Sequence, residues 1–265
     1  MKILIIGKDE RYAFLKDELS KKYSVDLIRD EKSVYDASLD KKKYNILILP
    51  MSGINDNSQI DLDGKVSITS AYFSDFNEKL IVYTGLISNR LLELVGDRKV
   101  VSFLKDDYVN RANNEITADG IIDEIKRKSK GVKNVCILGY GNIAKLLENK
   151  LNEYNVVFGI KDLSDFEKLG NRCFFTSDID MMKKVFSESD YIINTVPENI
   201  ILPYCLEECR TPILDIASYP YGLNQIHKES YPNYRIYSKI PAKYAPMRAS
   251  KILLKKIQKE IGENK

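Results

Sequence analysis

Twice in this chain an apolar run of strand length ends on a glycine and gives way to a helix-like pattern. The first run is Lys2-Ile3-Leu4-Ile5-Ile6-Gly7, and the second is Asn134-Val135-Cys136-Ile137-Leu138-Gly139. A strand that is apolar on both faces must be covered on both faces, so such junctions point to parallel sheets layered between helices. The second junction continues as Tyr140-Gly141-Asn142-Ile143-Ala144. Gly139, Gly141 and Ala144 thus fit the G-x-G-x-x-A form of the dinucleotide fingerprint. Gly139 permits the tight turn, Gly141 lets a pyrophosphate approach the backbone, and Ala144 lets the helix pack closely on the strand. Asn142 and Ile143 open that helix, whose free N–H groups and positive dipole end offer an anion site.

The rest of the chain repeats the same alternation. Apolar runs at residues 24–28, 44–49, 80–84 and 100–103 are separated by helical patterns, a polar loop spans 51–64, and 106–114 reads as polar and irregular. A helix over 115–128 leads into a second series with strands at 156–160, 173–175, 191–195, 213–217 and 235–237. The last helix opens at Pro246, a residue suited to a first helical turn. The expected fold class is α/β, with two Rossmann-like domains of parallel sheets and a cleft between them. Residues 1–115 are expected to form a flavodoxin- or Rossmann-like substrate-side domain. Residues 116–265 are expected to form an NAD(P)-binding Rossmann domain, with the C-terminal helix packing back.

Charge and cysteine content narrow the function. A net charge of +3 among 30% charged residues, with Lys interspersed among Asp and Glu, gives no basic tract with interleaved aromatics. Nucleic acid is therefore not an expected partner. No apolar run is long enough to cross a bilayer and the first strand begins at once, so a cytoplasmic protein without membrane association is expected. Cys205 and Cys209 stand four apart on an expected helix, without the His or further Cys that a zinc site needs; no metal is expected.

The chemistry concentrates after the second glycine turn. The strand at 156–160 ends in Lys161 and Asp162, about twenty residues beyond Gly139, where dinucleotide domains meet the adenosine ribose. Lys161 facing the ribose would favour NADP by neutralising a 2′-phosphate; Asp162 there would favour NAD. The bland alternative is that both are solvated strand-end charges. Thr195, Val196 and Pro197 follow the strand at 191–195, and Ser218 follows the strand at 213–217, placing them toward a nicotinamide. Asp215 is read either as a proton acceptor or as the acceptor for loop amides. His227, the single histidine, lies in a polar surface segment read as helical, which disfavours the His-carboxylate chemistry of hydroxy-acid dehydrogenases.

The ordered motifs resemble the family of dipicolinate synthase A subunits. They are Ile5-Ile6-Gly7-Lys8-Asp9-Glu10-Arg11, Ile48-Leu49-Pro50-Met51-Ser52, Thr84-Gly85-Leu86-Ile87-Ser88-Asn89 and Asn114-Glu115-Ile116-Thr117-Ala118-Asp119-Gly120. In the second half they are Leu138-Gly139-Tyr140-Gly141, Ile193-Asn194-Thr195-Val196-Pro197, Leu214-Asp215-Ile216-Ala217-Ser218 and Ala245-Pro246. The resemblance implies oxidation of dihydrodipicolinate, or its hydrated precursor, with hydride transfer to NADP in sporulation, beside the flavoprotein that serves as the synthase's other subunit. It further implies a small dicarboxylate substrate held by Arg11, Ser88, Asn89, Thr117 and Arg248, with Asp119 and Asp215 as proton acceptors. Ala144 replaces the family's third glycine, Lys161 its arginine, and Lys239-Ile240-Pro241-Ala242 its glycine-rich segment. Met247 stands where the family tends to place a lysine. These departures keep two alternatives open: an NAD(P)-dependent oxidoreductase of another small carboxylate, and a non-catalytic dinucleotide-binding subunit. A homo-oligomer would use apolar surface on the joining or final helix.

Overall fold

The computed structural model describes residues 1–62, 64–128, 131–207 and 209–262. The chain divides into two compact units, one of residues 1–113 with 241–265 and the other of residues 114–240.

The first unit contains β1 (Lys2–Ile6), α1 (Glu10–Ser20), β2 (Ser24–Ile28), α2 (Glu31–Val34), β3 (Ile46–Ile48), β4 (Gln59–Asp61), β5 (Lys65–Ser67), α3 (Ser70–Ser74), β6 (Ile81–Thr84), α4 (Asn89–Val95) and β7 (Val100–Ser102). Five of these strands form one parallel sheet in the order β2-β1-β3-β6-β7. Counted along the sheet alone this is the 2-1-3-4-5 order of flavodoxin-like folds, which reverses direction between its first and third strands. Ile3, Leu4, Ile5 and Ile6 of the central β1 are fully enclosed, as a strand covered on both faces requires.

The helix α5 (Asp107–Lys128) leads to β8 (Asn134–Leu138), α6 (Asn142–Lys150), β9 (Asn155–Ile160), α7 (Leu163–Leu169), β10 (Cys173–Phe175), α8 (Ile179–Glu188), β11 (Tyr191–Asn194), β12 (Ile213–Asp215) and β13 (Tyr234–Ile236). Six strands pair in parallel in the order β10-β9-β8-β11-β12-β13. Within this unit the order reads 3-2-1-4-5-6, the Rossmann arrangement, and it reverses between β8 and β11. Ala144 and Leu147 of α6 and Ile121 and Ile125 of α5 are buried in one cluster with Val135, Ile137 and Phe158. After β13 come α9 (Ile240–Tyr244) and α10 (Pro246–Glu260), which has proline in its first turn. Ala249, Ile252, Leu253 and Ile257 are the buried face of α10, and the helix packs along α1 of the first unit.

Three local expectations are corrected. The stretch read as a polar loop contains the start of the β4–β5 hairpin, because Ile60 and Val66 turn inward while their neighbours stay polar. The segment read as irregular belongs to α5, where Asp106 accepts hydrogen bonds from the Tyr108 and Val109 N–H groups and Val109 is fully buried. A side-chain cap and one apolar anchor suffice to start a helix in polar sequence. Cys205 and Cys209 do not share a helix: Pro203–Cys205 is a single 3₁₀ turn and Cys209 lies beyond it. The His227 segment is helical and exposed, as read, in the form of a 3₁₀ helix, Gln225–Ser230. All four cysteines are free thiols. Among the described residues no helix is long and apolar enough to cross a membrane.

Candidate functional site

The turn after β8 sits where the Rossmann sheet reverses direction, the place where open α/β sheets take ligands. Gly139 adopts φ +95°, and a Cβ there would lie 2.5 Å from Thr195 Oγ1 and 2.8 Å from Val196 Cγ2. Only glycine meets both demands. Gly141 differs: its φ of −81° suits any residue, and a Cβ would meet nothing within 4 Å. It caps α6 without any side-chain hydrogen bond. The first N–H groups of α6, those of Asn142 and Ile143, therefore have no capping side chain at that position.

Tyr140, between the two glycines, is fastened on both sides. Its hydroxyl donates to Glu148 (2.6 Å), its ring meets Phe158 edge-on at 5.0 Å, and Glu148 also pairs with Arg172 at 2.8 Å. Burial, and then the bond to Glu148, raise the Tyr140 hydroxyl to about 12. The phenol thus stays a donor at neutral pH and keeps the turn in place.

A cavity of about 340 Å³ opens over this turn, a size at the lower end for ligand sites. Gly139, Gly141, Lys161, Thr195, Val196 and Pro197 all line it, bringing together six of the nine expected cofactor residues. Asn142 and Ile143 adjoin it as the first residues of α6, whereas Ser218 is exposed on the loop after β12. The lining also includes Tyr140, Asp162, Asp165 and Glu198. Glu198 lies one residue past the motif ending at Pro197, and its Oε2 stands 3.6 Å from Lys161 Nζ. The residues suit a phosphate-bearing nucleotide: a glycine that admits no Cβ, a second that faces open space, and an uncapped helix start.

Thr195 and Asp215 shape this region by hydrogen bonding. The Thr195 hydroxyl donates to the Leu138 carbonyl at 2.8 Å, joining β11 to the end of β8. Asp215 is completely buried. Its oxygens accept from Ala217 N–H (2.9 Å), Gly222 N–H (2.6 Å), Asn194 Nδ2 (3.0 Å) and the Tyr234 hydroxyl. A carboxylate enclosed by four donors has no lone pair open to a substrate proton. Asp215 is therefore the anchor of loop 216–222, which corrects the proton-acceptor reading. Asp119 is corrected too: it pairs at 2.7 Å with Lys150, the last residue of α6. Nine helical residues, about 13 Å, separate that end from the glycine turn.

Of the expected substrate residues, Arg11, Ser88 and Asn89 stand at the starts of α1 and α4 in the first unit, just after β1 and β6. Arg11 is nearly buried, and its Nε and Nη2 donate to both oxygens of Asp9 at 2.9 and 2.7 Å. Burial works against its charge, but the Asp9 bonds outweigh burial and hold the guanidinium above its ordinary range. Ser88 caps α4, accepting from Leu91 N–H (3.0 Å) and donating to the Ile54 carbonyl (2.6 Å). Asn89 is exposed at the start of α4, Arg248 is exposed on α10, and Thr117 is half-buried on α5. The Met51 N–H donates to the Tyr12 hydroxyl at 2.8 Å, and Leu86 N–H to the Met51 carbonyl at 3.1 Å, so the stretches 48–52 and 84–89 meet on this rim beside Tyr12.

Two all-parallel sheets, in flavodoxin and Rossmann order, with an open glycine turn where the second reverses, define a dehydrogenase-type α/β fold. More particularly, residues 2–103 match the family model of the N-terminal domain of the dipicolinate synthase A subunit. The resemblance read from the ordered motifs thus holds over residues 2–103, which include the stretches 5–11, 48–52 and 84–89. The dipicolinate synthase A subunit from Bacillus halodurans is 20% identical with a TM-score of 0.78, over 98% of this chain and 97% of its own. The corresponding dipicolinate synthase polypeptide from Bacillus subtilis is 20% identical with a TM-score of 0.75, over 99% and 96%. A transhydrogenase from Sinorhizobium meliloti shares the fold at 10% identity and a TM-score of 0.59, over 98% and 93%. No curated protein sequence matches the chain.

Proposed function

We propose that this chain is the oxidoreductase subunit of a dipicolinate synthase-type system in sporulating cells, acting in the cytoplasm. It oxidises dihydrodipicolinate, or its hydrated precursor, with hydride transfer to NADP. The observation that carries this reading is the glycine turn at residues 139–141, open over Gly141 and facing Lys161 across one cavity. The N–H groups at the start of α6 would hold the pyrophosphate, and Lys161 a 2′-phosphate. A nicotinamide held there would supply the hydride acceptor, and the chain's residues would position the substrate carbon against it. The dihydropyridine loses one hydride and one proton to become an aromatic ring, and the hydrated precursor also loses water. Aromatisation supplies driving force, so the demand on a protein base is small.

Arg11 would take one substrate carboxylate through the N–H groups that Asp9 leaves over, with Arg248, Thr117, Ser88 and Asn89 as further partners. Ser88 offers its hydroxyl oxygen only, since its hydrogen is committed to Ile54. The test is NADPH formation, read near roughly 340 nm, the absorbance of the reduced hydride carrier. Freshly made dihydrodipicolinate would be supplied to the full chain together with its flavoprotein partner. Absence of any absorbance change, with the partner present, removes the assignment.

A second reading has its own support. With Asp215 enclosed and Asp119 paired to Lys150, neither expected acid faces the glycine turn. A non-catalytic dinucleotide-binding protein would show this pattern. It predicts nucleotide binding without turnover, whether or not the flavoprotein is present.

A further inference from the structure

The strands β9 and β11 flank β8, so their ends lie about 10 Å apart, two strand spacings, with the glycine turn between them. Lys161 follows β9, Glu198 follows β11, and their side chains meet at 3.6 Å. The pair therefore crosses the mouth of the cavity above Gly139 and Gly141. The loop bearing Glu198 is fixed, because Asn194 bonds both the N–H and the carbonyl of Val196, and Asn199 holds the Pro220 and Tyr221 carbonyls. Lys161 also works against an excess of negative charge. Among the described residues it is the one cation lining the cavity, against the carboxylates of Asp162, Asp165 and Glu198.

We propose that Glu198 sets how this chain discriminates between phosphorylated and unphosphorylated dinucleotides. Its carboxylate occupies Lys161 as a 2′-phosphate would, so a cofactor with that phosphate must displace Glu198. A cofactor with a free 2′,3′-diol is neutral at that position and leaves the pair intact. Lys161 alone would make the site selective for the phosphorylated form; the Lys161–Glu198 pair makes it tolerant of both. This inference rests on the dinucleotide reading above and adds its specificity determinant.

The test is equilibrium titration of the full chain with NADPH and with NADH, followed by nicotinamide fluorescence, for the wild type, Glu198→Gln and Lys161→Gln. Both side chains are mostly exposed, so the fold is expected to survive, and far-ultraviolet circular dichroism checks that. Glu198→Gln is expected to raise NADPH affinity about three- to fivefold, the scale of an exposed ion pair, with NADH affinity held within about twofold. Lys161→Gln is expected to move the ratio the other way. If Glu198→Gln leaves the ratio unchanged or weakens NADPH, while both nucleotides still bind, the role of Glu198 is overturned and the cofactor site stands. If the wild type binds neither nucleotide, the dinucleotide reading falls and takes this inference with it.

Discussion

The two units repeat one design, strand then glycine then helix, at the point where each sheet reverses, yet one helix start is capped by a side chain and the other is open. The glycine that ends the strand is crowded in both units, since a Cβ on Gly7 would lie 2.3 Å from the Tyr12 ring and one on Gly139 2.5 Å from Thr195 Oγ1; the difference lies two residues on, at the helix cap. Asp9 caps α1 through the Arg11 N–H, and the same carboxylate holds the Arg11 guanidinium. In the second unit a Cβ on Gly141 would meet open space, and the N-cap of α6 makes no side-chain hydrogen bond. The lesson is that a glycine turn becomes an anion site only where the protein leaves its donors unspent. Asp9 supplies to α1 the negative charge that a phosphate would supply to α6.

Substitutions at four positions test that contrast. The largest effect is expected from Gly139→Ala, which combines a positive φ with a contact of 2.5 Å to Thr195. It should cost about 3 kcal/mol in denaturant unfolding and abolish nucleotide binding. A variant of near wild-type stability would show that the turn relaxes freely. Next is Asp9→Ala, which removes a helix cap and leaves a nearly buried guanidinium unpaired, at a cost of about 2–3 kcal/mol. Asp9→Asn should recover part of this, since it keeps the cap and loses only the charge.

Gly141→Ala should separate stability from binding. Its backbone is compatible with alanine and nothing crowds the site, so unfolding should change by less than about 0.5 kcal/mol. Nucleotide affinity should nevertheless fall about tenfold or more, because the added methyl enters the space the pyrophosphate needs. Equal binding by this variant would break the proposed contrast between the two turns. The smallest effect is expected from Thr195→Val, which loses the bond to the Leu138 carbonyl but keeps the shape. About 1 kcal/mol should be lost on unfolding, with a smaller change in nucleotide affinity.

Much of this architecture was legible because buried parallel strands declare themselves as unbroken apolar runs, as at Ile3–Ile6 and Val135–Leu138. The fingerprint spacing also located the turn over Gly139 and Gly141. What it left open is whether the helix start is satisfied, since that depends on whether the capping residue's side chain bonds the first N–H groups, as Asp9 does. Asp215 illustrates another limit: an acid at a strand end reads alike as a base or an anchor until its four donors are seen. Glu198 escaped notice because it meets Lys161 only through the order β9-β8-β11, which no local pattern encodes. The hairpin of β4 and β5 was hidden by length, its strands being three residues each.

The bond from Thr195 to the Leu138 carbonyl joins residues 57 apart in sequence. A chain synthesised in order therefore has both glycines of the turn long before it has the wall that Gly139 leans on. Contacts of such separation carry a large closure entropy and complete late in folding. The nucleotide cradle is thus a property of the finished second unit and of no partial version of it. Nucleotide added during refolding should leave the folding rate unchanged and slow unfolding, which stopped-flow experiments at several nucleotide concentrations would measure. In time as well as in space, the proposed cofactor site is complete only after β11 has docked.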